Sequence, residues 1–175
     1  MVAGFLARAG LVDLGALTPL QRMLLACDGT LTDMVEAAFG EPIRLIKIAV
    51  ETMLSSEAVP DLDLKAGSLA MRRQILLQGE STGVNYVYAE SLIAVDALPP
   101  ALRDALLHSD APLGRLWVQH QLETRKEILR LWRMPGEAPR FGPAGAQGQL
   151  ARSYRVFSSG RPIMLISEYF PVAST

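Results

Sequence analysis

The chain is poor in the side chains that most often do chemistry by themselves. It has one cysteine, Cys27, and two histidines, His108 and His120, in 175 residues. A lone cysteine excludes an internal disulfide and fits a reducing compartment, so a cytoplasmic location is expected. Neither histidine has a cysteine or acidic partner at metal-ligand spacing, and no metal is expected. No serine sits in a nucleophile-elbow context. The glycine-rich run GPAGAQG, residues 142–148, follows no strand pattern and opens no helix, which separates it from phosphate-binding loops; no cofactor is expected. Formal net charge is only -1, with basic residues spread among acidic ones, so neither a nucleic-acid nor a membrane partner is expected. Half the residues are hydrophobic, yet no apolar run reaches the roughly 20 residues needed to span a bilayer. The first residues, MVAGFLARAGLVDLGAL, lack a basic leader and a cleavage site and read as an arm over 1–17 packed on the domain.

At this length the chain reads as a single domain over 1–175, able to bury one sizeable core. Thr18-Pro19 opens a helix that Asp28-Gly29 ends, and Thr30 with Asp33 resembles a capping box for a second helix that Gly40 stops. From Pro42 the β-branched run IRLIKIAVETML reads as a long, bent strand. Leu69 to Gly79 and Val84 to Val95 form a hairpin around a short polar turn, and Pro99-Pro100 starts a helix. A turn or short helix follows from Pro112. LETRKEILRLW, Leu122 to Trp132, has charge spacing that favours helix and alternation that allows strand; local pattern alone gives helix. Residues 134–151 carry much of the glycine and proline without periodicity and read as a mobile loop or flap. A last hairpin turns at Ser159-Gly160. Sequential hairpins with clustered helices indicate an α+β domain with an antiparallel sheet.

Two residues sit against the pattern. On Leu69 to Gly79, Leu69, Met71, Arg73, Ile75 and Leu77 share a face, so Arg73 is the only charge on an apolar surface. A guanidinium cannot shed its proton to escape burial, so either the protein or a ligand must supply an anion. On the closing strand Pro162, Met164, Ile166, Glu168 and Phe170 share a face, and Glu168 is a lone acid there. Burial raises the pKa of such an acid and a neighbouring arginine lowers it. Pattern alone leaves two readings open: a ligand site, or a buried Arg73–Glu168 ion pair. Glu90, among Tyr86, Tyr88 and Leu92, fits either a pocket wall or a solvated sheet face.

The order of the segments LTDMVE (Leu31 to Glu36), RRQILL (Arg72 to Leu77), YAESLIAV (Tyr88 to Val95), APLGR (Ala111 to Arg115), LETRKE (Leu122 to Glu127) and SGRPIMLISEYFP resembles the chorismate pyruvate-lyase family. These enzymes cut chorismate to 4-hydroxybenzoate and pyruvate. The resemblance covers most of the chain. It implies a roughly six-stranded antiparallel sheet whose helices enclose a small-molecule pocket, and it turns LETRKEILRLW into a strand. It also implies roles: Arg73 holds the ring carboxylate, Glu168 lies near the ring hydroxyl, Leu113 gives a main-chain contact to the carboxylate, and Leu31 and Thr32 fall where the family has backbone contacts or a covering side chain toward the hydroxyl end. Glu90 departs from the family, whose ubiquinone-pathway members have an arginine there, and an acid would change pocket electrostatics. The expected protein is a monomeric, cofactor-independent lyase with chorismate as substrate. Its flap would be the helical pair near Leu31 or the loop after Met134.

The competing expectation is a non-catalytic domain that binds an aromatic acid, since the fold also resembles effector-sensing domains of bacterial transcription regulators. Those usually follow a DNA-binding helix-turn-helix, and a first helix near residue 18 leaves no room for one. A third possibility is a silent structural protein with Arg73 and Glu168 paired.

Overall fold

The computed structural model describes residues 13–108 and 113–172. Most of the arm expected over 1–17 lies outside these residues; of its described end, Leu14–Ala16 form a 3-10 turn and Leu17 is buried in the core.

Six strands form one antiparallel sheet: β1 (Ile43–Leu54), β2 (Leu69–Gly79), β3 (Asn85–Ala94), β4 (Arg125–Met134), β5 (Gln149–Ser158) and β6 (Arg161–Pro171), in the order β1-β2-β3-β6-β5-β4. The expected bend in β1 is a register shift between Lys47 and Ala49 that leaves Ile48 exposed.

The expectation of helix for LETRKEILRLW from local pattern is wrong over most of its length, and the strand implied by the family resemblance is what forms. The register with β5 shifts between Ile128 and Arg130. Inward positions therefore move from Lys126 and Ile128 to the buried Leu131. A bulge in an edge strand breaks the period of two and leaves a three-residue spacing that imitates a helix.

Helix α1 (Pro19–Ala26) starts with the capping box Thr18–Gln21: the Gln21 N–H donates to Thr18 Oγ1 (3.2 Å) and the Thr18 N–H to Gln21 Oε1 (2.9 Å). Helix α2 (Leu31–Phe39) ends at Gly40 with φ 70°, as expected. Its start differs from the expectation, because Thr30 makes no side-chain cap and its methyl instead packs against Gly114, where a Cβ would approach to 2.8 Å. Helices α3 (Pro100–His108) and α4 (Leu113–Gln119) complete the set among the described residues.

Both helix pairs cover the same sheet face. Leu25, Leu31 and Val35 pack with Ile75, Leu77 and Val87. Leu102, Leu106 and Leu116 pack with Met71, Ile93 and Met164. A gap between the pairs is the natural place for a ligand.

The stretch 134–151, expected as a mobile loop or flap, contains a turn and the start of β5. Pro139–Gly145 form a 3-10 turn whose Phe141 is buried with Ala138 against Tyr88, Leu76 and Tyr169 on the opposite face. The guanidinium of Arg140 lies 4.0 Å from the Tyr88 ring. Apolar anchors inside a Gly/Pro-rich stretch hold it down, and it lines no part of the cavity between the helix pairs.

Glu41, after α2, fixes the β2–β3 turn. It accepts from the N–H groups of Ser81 (3.0 Å) and Thr82 (3.1 Å), the Thr82 hydroxyl (2.7 Å) and the Tyr86 hydroxyl (2.6 Å). A Cβ on Gly79 would run into this carboxylate. The Tyr86 hydroxyl, followed by that of Thr82, holds the Glu41 carboxyl down at about 2. A depressed acid contributes stability above its unfolded value of about 4.3, and that contribution is lost as pH falls towards the folded value. Glu41→Gln is expected to lower the melting temperature at pH 7, with the gap to wild type closing as the pH is taken from ~4 down to ~2. A gap independent of pH in thermal scans would remove the carboxylate from this role.

Candidate functional site

Alternation on the central strands builds the site. Arg73, Ile75 and Leu77 from β2, Val87, Ala89 and Ser91 from β3, and Ile166 and Glu168 from β6 face one cavity. The link between α1 and α2 closes one side with Gly29 to Thr32, and α4 closes the other with Leu113, Gly114 and Trp117. The void, its open mouth included, is about 560 Å³, within the range of small-molecule sites. Its roof is tied across by Arg115 of α4, whose Nη2 donates to both Glu36 carboxylate oxygens of α2 at 2.8 Å. The Ile43 N–H, and behind it the Arg115 guanidinium, lower the pKa of Glu36 against its burial.

All five residues singled out in the sequence, Arg73, Glu168, Leu113, Leu31 and Thr32, line this cavity. Arg73 is 1% exposed and Glu168 6%. The paired alternative takes a different form from the one expected. Glu168 is bonded by Arg152, whose Nε donates to Oε2 at 2.6 Å, and by the Tyr154 hydroxyl, which donates to Oε1 at 2.7 Å. Register explains the choice. Arg152 is the direct cross-strand neighbour of Glu168, whereas Arg73 lies two strands away, in the row of Ser91 and Ile166.

Arg152 is fully buried, and its Nη1 also donates to the carbonyls of Leu25 (3.2 Å) and Cys27 (2.8 Å) at the end of α1. Burial is the largest single influence and opposes its charge, but the Glu168 carboxylate, with Tyr154 and Cys27 behind it, raises the pKa on balance. Burial, then the same carboxylate, pushes the Tyr154 hydroxyl well above the usual phenol range. It is a neutral donor at all ordinary pH values. Cys27 is the half-buried C-cap of α1.

Arg152 and Tyr154 are legible in the alternation of β5. In QLARSYRVFS, Leu150, Arg152, Tyr154 and Val156 alternate, which puts an arginine on an apolar face just as in β2. Lys126, which also lines the cavity, was hidden by the misread period of β4.

Glu90 does not line this cavity. It pairs in register with Gln74 and Ser167 on the other sheet face, where it accepts from the Tyr88 hydroxyl at 2.6 Å and Gln74 Nε2 at 3.4 Å. Burial, then Glu90, pushes the Tyr88 hydroxyl up to about 12. Residues 90 and 91 necessarily face opposite ways along a strand, and Ser91 takes the inward place. The expected change in pocket electrostatics from Glu90 therefore does not arise from direct contact.

A six-stranded antiparallel sheet with a polar-floored pocket between two helix pairs defines a small-molecule-binding domain of the chorismate lyase-like class. A family model described as Chorismate pyruvate-lyase Rv2949c-like matches residues 25–175, and the chain belongs to that family. The chorismate pyruvate-lyase of Mycobacterium leprae is 33% identical over 156 residues, covering 85% of this chain and 72% of the relative. That of Mycobacterium tuberculosis H37Rv is 31% identical over 155 residues, covering 85% and 78%. Among solved structures, the effector domain of PhnF from Mycobacterium smegmatis superposes with a TM-score of 0.60 at 14% identity, over 82% of this chain and 88% of that one. PhnF itself gives 0.62 at 14% identity over 83% of this chain, which spans 64% of it. At such identity the likeness is one of fold alone. No helix among the described residues is long and apolar enough to cross a membrane.

Proposed function

We propose that this chain is a chorismate pyruvate-lyase that works without metal or organic cofactor. The observation that carries the reading, beside family membership, is that a buried arginine and a buried glutamate face one enclosed cavity from different strands. In the reaction the C–O bond to the enolpyruvyl group breaks and the hydrogen on the neighbouring hydroxyl-bearing ring carbon is lost. The side chain leaves as pyruvate, carrying that hydrogen in net terms, and the ring becomes aromatic. Aromatisation supplies the driving force, so the protein has to hold the dianion, exclude water and stabilise shifting charge.

Arg73 binds the ring carboxylate through charge-assisted hydrogen bonds. Glu168, held by Arg152 and Tyr154, faces the ring hydroxyl and orients it. The Leu113 main chain contacts the carboxylate, and Leu31 and Thr32 cover the hydroxyl end. Release of the product requires α2 or α4 to move, since these helices form the roof.

The test is incubation of purified protein with chorismate and a chelator, following 4-hydroxybenzoate and pyruvate by chromatography. Equal amounts of both over many turnovers support the lyase. Untouched chorismate with tight 4-hydroxybenzoate binding supports instead the aromatic-acid-binding domain, which the PhnF likeness accommodates.

Glu168→Gln is expected to lower kcat by about tenfold or more, because hydrogen bonds to a charged group are the stronger ones, while the Kd for 4-hydroxybenzoate changes less. Unchanged kinetics in this variant would leave the glutamate a purely structural partner of Arg152.

A further inference from the structure

Chorismate has a second carboxylate, on the enolpyruvyl ether, that Arg73 cannot serve while it holds the ring carboxylate. The cavity contains one further cation suited to it. Lys126 lies on β4 and Arg73 on β2, at opposite sides of the sheet with β3, β6 and β5 between them. Four strand spacings of ~4.8 Å separate the two backbones by about 19 Å. Both side chains nevertheless line the same cavity. A substrate with two carboxylates has a use for both cations; a monocarboxylate product needs only one.

The Lys126 ammonium has donors left for an anion. Its Nζ donates to the Gly29 carbonyl at 2.8 Å and lies 5.7 Å from the Trp117 ring and 5.5 Å from the Tyr154 ring. An ammonium has three protons, and the Gly29 carbonyl takes one. The nearby acid, Glu168, is already held by Arg152 and Tyr154. Lys126 and Tyr154 also wall a second cavity beside Cys27 and Asp28. Burial lowers the pKa of Lys126, partly offset by Glu168, and a bound carboxylate relieves that penalty.

We propose that Lys126 binds the enolpyruvyl carboxylate of the substrate and so holds the group that leaves as pyruvate. The assignment rests on the lyase reading. It separates two classes of ligand: those with the side-chain carboxylate need Lys126, and those with only the ring carboxylate do not.

The experiment compares wild type, Lys126→Gln and Lys126→Arg for chorismate KM, 4-hydroxybenzoate Kd by calorimetry, and melting temperature. Lys126→Gln is expected to raise chorismate KM about tenfold or more, the size of a lost charge-assisted bond. Its 4-hydroxybenzoate Kd should stay within about twofold of wild type, since that ligand has no second carboxylate. Lys126→Arg keeps the charge and is expected to recover most of the KM loss. Equal weakening towards both ligands would mean that Lys126 only braces the Gly29 carbonyl, and it overturns the assignment, as does an unchanged KM. Absence of turnover in the wild type is a different failure: it removes the lyase reading, and this assignment with it.

Discussion

Arg73→Ala is expected to lower kcat/KM for chorismate by about a hundredfold, from the loss of one or two charge-assisted hydrogen bonds at ~1.5–3 kcal/mol each. It should also weaken 4-hydroxybenzoate binding by about tenfold or more, because substrate and product share the ring carboxylate. This double loss distinguishes Arg73 from Lys126, whose removal is expected to spare the product. The fold should survive: Arg73 faces the cavity, and its strand neighbours Met71 and Ile75 keep their places in the core. Far-ultraviolet circular dichroism of the variant should match wild type. Arg73→Lys should fall between the two, since an ammonium retains the charge but cannot present a planar fork to a carboxylate. Activity within twofold of wild type in Arg73→Ala would falsify the carboxylate-anchor role. Loss of turnover with unchanged 4-hydroxybenzoate affinity would move the arginine from binding to some other step.

What could be read from the sequence follows the strength of its local periods. The apolar alternation of β2 and β6 is unbroken, so a single arginine and a single glutamate stand out on it. Their strands being central, each residue is buried on the face that the pattern assigns. Where a strand lies at the edge and carries a bulge, as β4 does, the inward set changes parity and Lys126 disappears into what looks like an amphipathic helix. Partnership was less legible than position. That Glu168 pairs with Arg152 depends on which strand β6 sits beside and in which register, and neither is written in the β6 segment itself. The same limit applies to Glu90. Its sheet was recognised, but whether an even or odd residue of β3 faces the helices is decided by α1 to α4 packing on the odd side. In residues 134–151 the limit is a different one: glycine and proline content reports the absence of a period, while Phe141 and Ala138 supply burial without one.

Arg152→Met is expected to be the most destabilising of the substitutions considered, by about 3–5 kcal/mol, the cost of breaking a buried pair by removing one partner. Three losses coincide. The Glu168 carboxylate keeps only the Tyr154 hydroxyl, and the carbonyls of Leu25 and Cys27 lose their donor. These carbonyls end α1 just before Gly29 to Thr32, which wall the cavity, so the site should loosen as the chain destabilises. For a domain of this size each kcal/mol corresponds to roughly 2–4 °C, giving a fall in melting temperature on the order of 10 °C. The companion variant Arg152→Met/Glu168→Leu removes both charges and should regain much of that loss, because the penalty comes chiefly from stranding one charge rather than from losing the attraction between two. The coupling energy from this double-mutant cycle is the decisive quantity. A large favourable coupling means that Arg152 serves to hold and orient Glu168 in an apolar wall. A coupling near zero means that Arg152 matters for the end of α1 instead, and Glu168 would then owe its position to Tyr154 and to β6 alone.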